Sequence, residues 1–211
     1  MATYSGYITE VRRLLHDAAG NFWTDTELAD YINDARERVV RDTGCLRTIQ
    51  SYTILNAVET LSYAALPQAN RTIDVLNVNL YWGNTRIPLR YLAWSQFNAE
   101  LRFWQNYTGR PVAFSIYGQQ TIYFGPIPDQ NYQIEVDTVI LPEPLTSNSS
   151  VETILDPYTK PVKYYAAHTA KYKEQSYGEA EIFKAQYEQQ VKAALTSTMT
   201  RRLPTPYSIP Y

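Results

Sequence analysis

The chain has 211 residues, of which 45% are hydrophobic and 19% are charged, and its formal net charge is −2. This length is enough for a real core, and the composition excludes a chain that is disordered throughout. The charge argues against a strongly basic nucleic-acid-binding protein. A single cysteine, Cys45, excludes an internal disulfide and a cysteine-based zinc site. Because the sequence shows neither a secretory signal nor a membrane-length apolar run, we expect folding in a reducing cytoplasm, without a membrane.

Two helices are predicted at the front of the chain. Apolar residues at helical spacing predict the first over residues 4–18, with Gly20 as a breaker. The second begins with a capping box and a hydrophobic staple, formed by Thr24 with Glu27 and by Trp23 with Leu28. Gly44 is its predicted stop. The charged residues on its remaining faces are expected to be solvated or to face another subunit: Asp25, Asp30, Asp34, Arg36, Glu37, Arg38 and Arg41.

The middle of the chain, residues 46–145, changes to an alternation of apolar and polar residues, which is typical of strands. The predicted strands are Thr48–Leu55, Thr72–Tyr81, Val112–Tyr117, Thr121–Phe124 and Gln133–Ile140. One short helix is predicted over residues 95–106. We expect a small antiparallel sheet or an open barrel.

Helical spacing returns after a segment, Pro142–Ser150, whose composition is that of a linker. Two back helices are predicted, separated by a turn at residues 176–178. The helices at the two ends lack partners within their own segments, so we expect them to pack together. The predicted fold class is α+β, in three parts. These are a helical bundle (1–45 and 151–200), an inserted β-rich domain (46–150) and an extended C-terminal arm (201–211).

The arm is rich in proline, which forbids a helix and favours an extended chain. Ordering its residues costs about 1–2 kcal/mol each, whereas burying one apolar side chain returns about 1.5–3 kcal/mol. The arm is therefore expected to order only against another chain, and a frayed terminus is the alternative. The candidate docking residues are Arg201, Arg202, Leu203, Pro204, Pro206, Tyr207, Ile209, Pro210 and Tyr211.

No catalytic or metal-binding pattern emerges from the sequence. His16 and His168 lie in different segments, and Cys45 has no partner that would activate it. Glu135 and Asp137 share a face of a predicted strand, as the two carboxylates of a glycosidase can, but a polar strand face explains them as well. We therefore predict a protein that is not an enzyme and has no cofactor.

The 19 tyrosines are compatible either with a surface that meets other proteins or with a tyrosine-rich core. Arginines cluster near the end of the second helix, while the overall charge does not favour tight binding of DNA. The arginine cluster and the slightly negative net charge together are compatible with transient contact with DNA rather than with its specific recognition.

Four segments resemble the head-to-tail adaptor proteins, also called gateway or connector proteins, of tailed phages of the podovirus type. The segments are Ile8–Asp17, Phe22–Arg36, Asp156–Tyr158 with Val162–Ala170, and Glu179–Glu188. The order helix, β segment, helix and tail matches as well. The resemblance implies a virion structural protein at the head–tail junction, assembled in the host cytoplasm. It implies a ring of twelve subunits between the portal protein and the tail nozzle, with DNA passing through the lumen and the arm on the portal.

Two other functions fit parts of the sequence. A carbohydrate-binding or host-recognition module of the tail would stack sugars on Trp82, Trp94 and Trp104. A glycosidase would use Glu135 and Asp137. For the adaptor, we expect the chain to be a monomer when alone.

Overall fold

A computed structural model describes residues 3–104, 107–118 and 120–199 of the chain. The fold is mixed α+β, and the chain divides into two compact units. The β unit comprises Leu46–Leu141, and the helical unit comprises the described residues on either side of it. The β unit is thus inserted into the helical unit along the sequence.

Four helices build the helical unit: α1 (Tyr4–Leu14), α2 (Asp25–Thr43), α4 (Val162–Lys173) and α5 (Tyr177–Met199). Their apolar stripes meet in one core, because an amphipathic helix must bury its apolar face against another element. Val11, Leu28, Val39 and Ala166 are each 0% exposed within it.

Helix α1 ends at Leu14, four residues earlier than the predicted 18, although the breaker Gly20 comes later. His16 adopts a left-handed conformation, with φ of 57°. The Asp17 N–H donates to the carbonyl of Arg12 at 3.0 Å, and the His16 N–H donates to that of Arg13 at 3.4 Å. These bonds are those of a Schellman motif, which closes a helix even where the left-handed residue is not glycine.

The segment Pro142–Ser150 contains no helix or strand, but it is packed rather than a free linker. Leu145 is 2% exposed in the helical core. The side chain of Asn33 also accepts from the N–H of Leu145 at 2.9 Å and donates to its carbonyl at 3.1 Å. Residues 142–150, predicted with the β-rich domain, therefore lie in the helical unit.

The turn between α4 and α5 comes earlier in the sequence than the predicted residues 176–178. Gln175 has φ of 66°, and α5 already begins at Tyr177. Gly178, expected in the turn, is therefore in the first turn of the helix, since the left-handed position is taken by Gln175.

The β unit contains ten strands and helix α3 (Trp94–Trp104) among its described residues. The strands are β1 (Arg47–Ile54), β2 (Thr60–Ser62), β3 (Thr72–Trp82), β4 (Thr85–Pro88), β5 (Arg90–Tyr91), β6 (Thr108–Gly109), β7 (Ala113–Tyr117), β8 (Thr121–Gly125), β9 (Ile127–Pro128) and β10 (Tyr132–Ile140). Single turns of 3₁₀-helix lie at Tyr63–Ala65 and Ala69–Arg71.

The strands form two four-stranded sheets, in the orders β1-β10-β3-β4 and β2-β8-β7-β5, and the two-stranded pair β6-β9. All pairs are antiparallel except the two-residue pairs β5 with β7 and β6 with β9. Both larger sheets contribute to one hydrophobic cluster, for example through Leu80 and Ile134 from the first and Phe114 and Ile122 from the second. The sequence predicted one antiparallel sheet or an open barrel, whereas the structure has two larger sheets. Each of these sheets buries one face of its alternating strands, so the two share a core.

Candidate interaction surfaces

The loop between α1 and α2 is held by a single carboxylate. Asp17 accepts from the main-chain N–H groups of Asn21 at 2.9 Å and Trp23 at 3.0 Å, and more weakly from that of Phe22 at 3.3 Å. It also accepts from the guanidinium of Arg12 at 3.1 Å. These bonds, above all that from Trp23, hold the pKa of Asp17 below its ordinary value. The loop is therefore fixed by its own hydrogen bonds.

Arg12 completes this arrangement from the side of α1. Its guanidinium donates to the carbonyl of Trp23 at 2.9 Å and to the carboxylate of Asp25 at 2.6 Å. Gly20, with φ of 69°, lies so close to Arg12 that a Cβ there would be 2.9 Å from a guanidinium nitrogen. We call residues 17–24 the Phe22 loop, because Phe22 projects from it with 66% of its surface exposed.

The start of α2 follows directly. Thr24 accepts from the N–H of Glu27 at 3.2 Å, and Glu27 accepts from the N–H of Thr24 at 3.1 Å, so both halves of the capping box are present. The hydrogen bond from the Thr24 hydroxyl is the main reason that the pKa of Glu27 is lowered. Trp23 and Leu28, the proposed staple, are both buried in the helical core.

A buried ion pair joins α2 to the segment before α4. Arg36 donates to Glu152 at 3.0 Å and 2.8 Å, and the two side chains are 0% and 2% exposed. Arg36 also donates to the carbonyl of Glu143 at 2.7 Å. Tyr7 lies beside this pair, and its pKa is raised far above its ordinary value by burial and then by the charge of Glu152. The expectation that Arg36 belongs to a solvated or subunit-facing surface is therefore wrong, because these partners satisfy its charge inside the unit.

An open pocket of about 460 Å³ lies where α1, the start of α4 and α5 meet. We call it the Gly6 pocket; its wall includes Thr3, Gly6, Tyr7, Lys163, Tyr164 and Gln190. The Lys163 ammonium lies 5.4 Å from the centre of the Tyr164 ring and forms an ion pair with Glu10 at 3.2 Å. The pocket combines aromatic walls with a cationic side chain.

The chain was compared with models of known protein families. The family model of the SU10 adaptor protein matches residues 2–209, which is nearly the whole chain. The chain belongs to the SU10 adaptor protein family. It is therefore a structural protein of bacteriophages, a component of the virion that contacts other head or tail proteins. No curated protein matches the chain.

The two carboxylates considered for a glycosidase are ion-paired in this adaptor. Glu135 accepts from the Tyr81 hydroxyl at 2.6 Å, which raises the pKa of Tyr81, and pairs with Arg86 at 2.7 Å. Asp137 pairs with Arg47. Both side chains lie on one face of β10, where these partners explain them as cross-strand pairs.

Two of the three tryptophans considered for sugar binding, Trp82 and Trp94, are in contact with other side chains. Trp82 is stacked with Tyr132 at 5.8 Å between centroids, and the Arg110 guanidinium lies 5.4 Å from its ring. Trp94 contacts three rings, Phe97, Tyr117 and Tyr123, at 4.6–6.0 Å. The side chain of Trp104 and the whole arm, residues 201–211, lie outside the described residues.

The other candidate catalytic residues that the sequence offered, His168 and Cys45, have local structural roles. His168 Nδ1 lies 2.9 Å from the carbonyl of Ala180, and burial raises the pKa of the Cys45 thiol. In the described ranges, no group of three or more His, Cys, Asp or Glu side chains is placed to hold a metal ion. Nor is any helix of those ranges long and apolar enough to cross a membrane.

Sequence reasoning missed three features: the Asp17–Arg12 arrangement, the Arg36–Glu152 pair and the Gly6 pocket. Of these, only the Asp17–Arg12 arrangement could have been found from the sequence, because Asp17 binds N–H groups only four to six positions further along the chain. The ion pair joins residues 116 positions apart, and the pocket joins three helices.

Proposed function

We propose that this adaptor forms a ring, with twelve subunits as the expected number, between the portal protein and the tail nozzle. In this proposal the helical unit forms the contacts between subunits and the β unit faces the tail. Packaged DNA passes through the lumen without specific recognition, and the protein acts without catalysis. The observation that carries the proposal is the family match over residues 2–209.

Apolar side chains on the surface of the helical unit support a subunit with several partners. Phe22, Val151, Leu155, Tyr172, Tyr177 and Ile182 are all more than half exposed. Tyr172 and Tyr177 are in contact, with ring centroids 5.2 Å apart, and aromatic side chains are enriched where proteins meet. The net charge of −2 suits a lumen that must let DNA pass, because tight binding to phosphates requires a strongly basic surface.

We further propose that residues 201–211 dock onto the portal. Each arm is expected to supply only a modest binding free energy, because the conformational entropy that it loses on binding offsets much of the free energy gained by burying its apolar side chains. In a ring, however, the arms bind as one multivalent assembly, so the whole contact becomes far tighter than any single arm.

The ring is tested with particles of a phage whose copy of this gene has been inactivated, grown in host cells that do not supply the chain. We expect filled or partly filled heads without tails, and restoration of tails when the wild-type chain is supplied. Particles that keep both genome and complete tails without the chain would contradict the proposed function. Mass measurement of the chain alone and with portal then gives the number of subunits.

The arm is tested by removing Leu203–Tyr211 and measuring binding to purified portal. A chain that carries a glycine–serine segment of the same length serves as the control for length alone. We expect both variants to lose portal binding while the helix content stays unchanged. Undiminished binding of the shortened chain would refute the role of the arm and leave the ring itself open to the particle test.

A further inference from the structure

Phe22 is an unusual surface residue, because its loop is fixed although its ring is exposed. Asp17 and Arg12 bind the main-chain groups of the loop, and the Phe22 ring meets Trp23 edge-on with centroids 5.2 Å apart. Trp23 is itself anchored against Tyr31 at 5.8 Å. An aromatic side chain that is already ordered loses little entropy on binding, which is the property of an interface anchor.

The Gly6 pocket has the size and lining to receive such a ring. Its volume of about 460 Å³ exceeds the roughly 150 Å³ of an apolar cavity that holds benzene. Gly6 presents no side chain there, and Tyr7 and Tyr164 supply aromatic surface. The Lys163 ammonium, already over the Tyr164 ring, can also face an inserted phenyl ring, which favours a cation–π contact.

The anchor and the pocket are located on different parts of the same unit. The Phe22 loop follows the C-terminal end of α1, whereas Thr3, Gly6 and Tyr7 belong to its N-terminal part. A single copy that carries both surfaces can bind one neighbour through each. Such a head-to-tail contact closes into a ring when its rotation allows, whereas a contact of one surface with itself gives a dimer.

Charge at the two surfaces is complementary. At the Phe22 loop, the carboxylates of Asp17 and Asp25 share one cation, Arg12, which leaves one negative charge over; the side chain of Asp25 is 68% exposed. In the lining of the Gly6 pocket, Lys160 and Lys163 lie with one carboxylate, Glu10, which pairs with Lys163 at 3.2 Å. The lining therefore has one positive charge over, and the side chain of Lys160 is 61% exposed, with a long pair of 4.0 Å to the exposed Asp156 outside the lining. Opposite charges at the rim of an interface orient the partners and raise the rate of association.

We propose that Phe22 of one copy inserts into the Gly6 pocket of the next copy and that this contact joins neighbours in the ring. The inference rests on the proposed function, since it names the contact by which the proposed ring closes. The partner is thus a second copy of this chain.

Cross-linking in virus particles tests the contact directly. In a chain with Cys45→Ser, the substitutions Asn21→Cys and Gln190→Cys place one thiol beside the anchor and one at the pocket, while Phe22 itself is kept. With a short bismaleimide we expect a ladder of dimers, trimers and larger species. A mixture of the two single-cysteine chains is expected to stop at dimers, and each single-cysteine chain alone is expected to give monomers.

Substitution tests the energy of the same contact. Phe22→Ala removes the anchor, and Gln190→Trp fills the pocket from α5. We expect each to lower the number of chains per particle, measured by quantitative mass spectrometry, by about tenfold or more, as for an interface anchor. Gln189→Trp is the matched control, because Gln189 is exposed on the same helix as Gln190 but does not line the pocket.

The outcomes separate this inference from the proposed function. The cross-linking is repeated on the purified full chain at high concentration. Absence of the inter-copy cross-link from both samples overturns the inference, as does a cross-link to a different protein or normal incorporation of Phe22→Ala and Gln190→Trp. Absence of the wild-type chain from the particles overturns the proposed function, whatever the purified chain shows.

Discussion

Asp17 and Arg12 bind several main-chain groups of the turn after α1. Three N–H groups point at one carboxylate, and the guanidinium holds the carbonyl of Trp23 from the other side. Charged groups that accept or donate several bonds at once are worth more than neutral ones. The geometry of the Phe22 loop therefore depends on the ionisation of one side chain.

The pH dependence of stability should reveal this carboxylate. The folded-state pKa of Asp17 is lowered, so its contribution is complete above the unfolded pKa of about 4 and is lost as the pH falls through the folded value. Asp17→Asn removes the charge at every pH. In denaturant unfolding, we expect the variant to be less stable than wild type at pH 7 and the difference to shrink towards pH 3. A difference that stays constant over this range would contradict the role of ionisation.

Removal of one partner from the buried pair should be costly. Glu152→Ala leaves the Arg36 charge inside the helical unit without its carboxylate, and we expect a loss of about 3–5 kcal/mol in the free energy of unfolding. Glu37→Ala is the control, because Glu37 and Arg41 form an exposed pair at 3.7 Å and its loss should cost about 1 kcal/mol or less. The double variant Arg36→Met with Glu152→Leu should recover most of the stability. Equal losses for Glu152→Ala and Glu37→Ala would show that burial of the pair is unimportant.

At the scale of elements, the predictions that agree with the structure are those with a long or local signal. The alternation over Thr72–Tyr81 predicted β3, and the capping pattern at Thr24 predicted the first residue of α2. Strands of two to four residues, such as β5 and β9, have too few alternations to be recognised. Arg36 was assigned to the surface because a charged residue has no sequence signal for a partner 116 positions away.

The cap of α2 can be tested with two neighbouring threonines. Thr24→Ala removes the hydroxyl that accepts from the N–H of Glu27, and we expect a loss of about 0.5–2 kcal/mol in unfolding free energy. Thr26→Ala is the control, since Thr26 belongs to α2, its side chain is exposed to solvent, and it takes no part in the capping box. The measurement is denaturant unfolding followed by circular dichroism. Equal effects of the two substitutions would mean that helix propensity, not the cap, determines the result.

At the scale of the whole molecule, the chain enters and leaves the β unit at adjacent points. The Ile140 N–H donates to the carbonyl of Leu46 at 3.1 Å, and β1 pairs with β10 along its full length. The unit has a hydrophobic cluster of its own, in which Val78, Leu80 and Ile134 are 0% exposed. Adjacent ends and a separate core are the properties of a domain that folds without the rest of the chain.

We therefore expect Leu46–Leu141, produced alone, to unfold in one cooperative transition with the circular dichroism of a β-rich protein. Ile134→Asp in the same fragment is the control; it buries an unpaired charge between the sheets and should abolish the transition. In a second protein, the β unit is removed and a short glycine–serine linker joins Cys45 to Pro142. This protein should keep the helix content of α1, α2, α4 and α5, because Leu46 and Ile140 lie side by side and a short linker can replace the β unit. A fragment that is unfolded while the full chain is folded would mean that the sheets depend on the helical unit. The whole chain would then fold as one cooperative unit rather than as two.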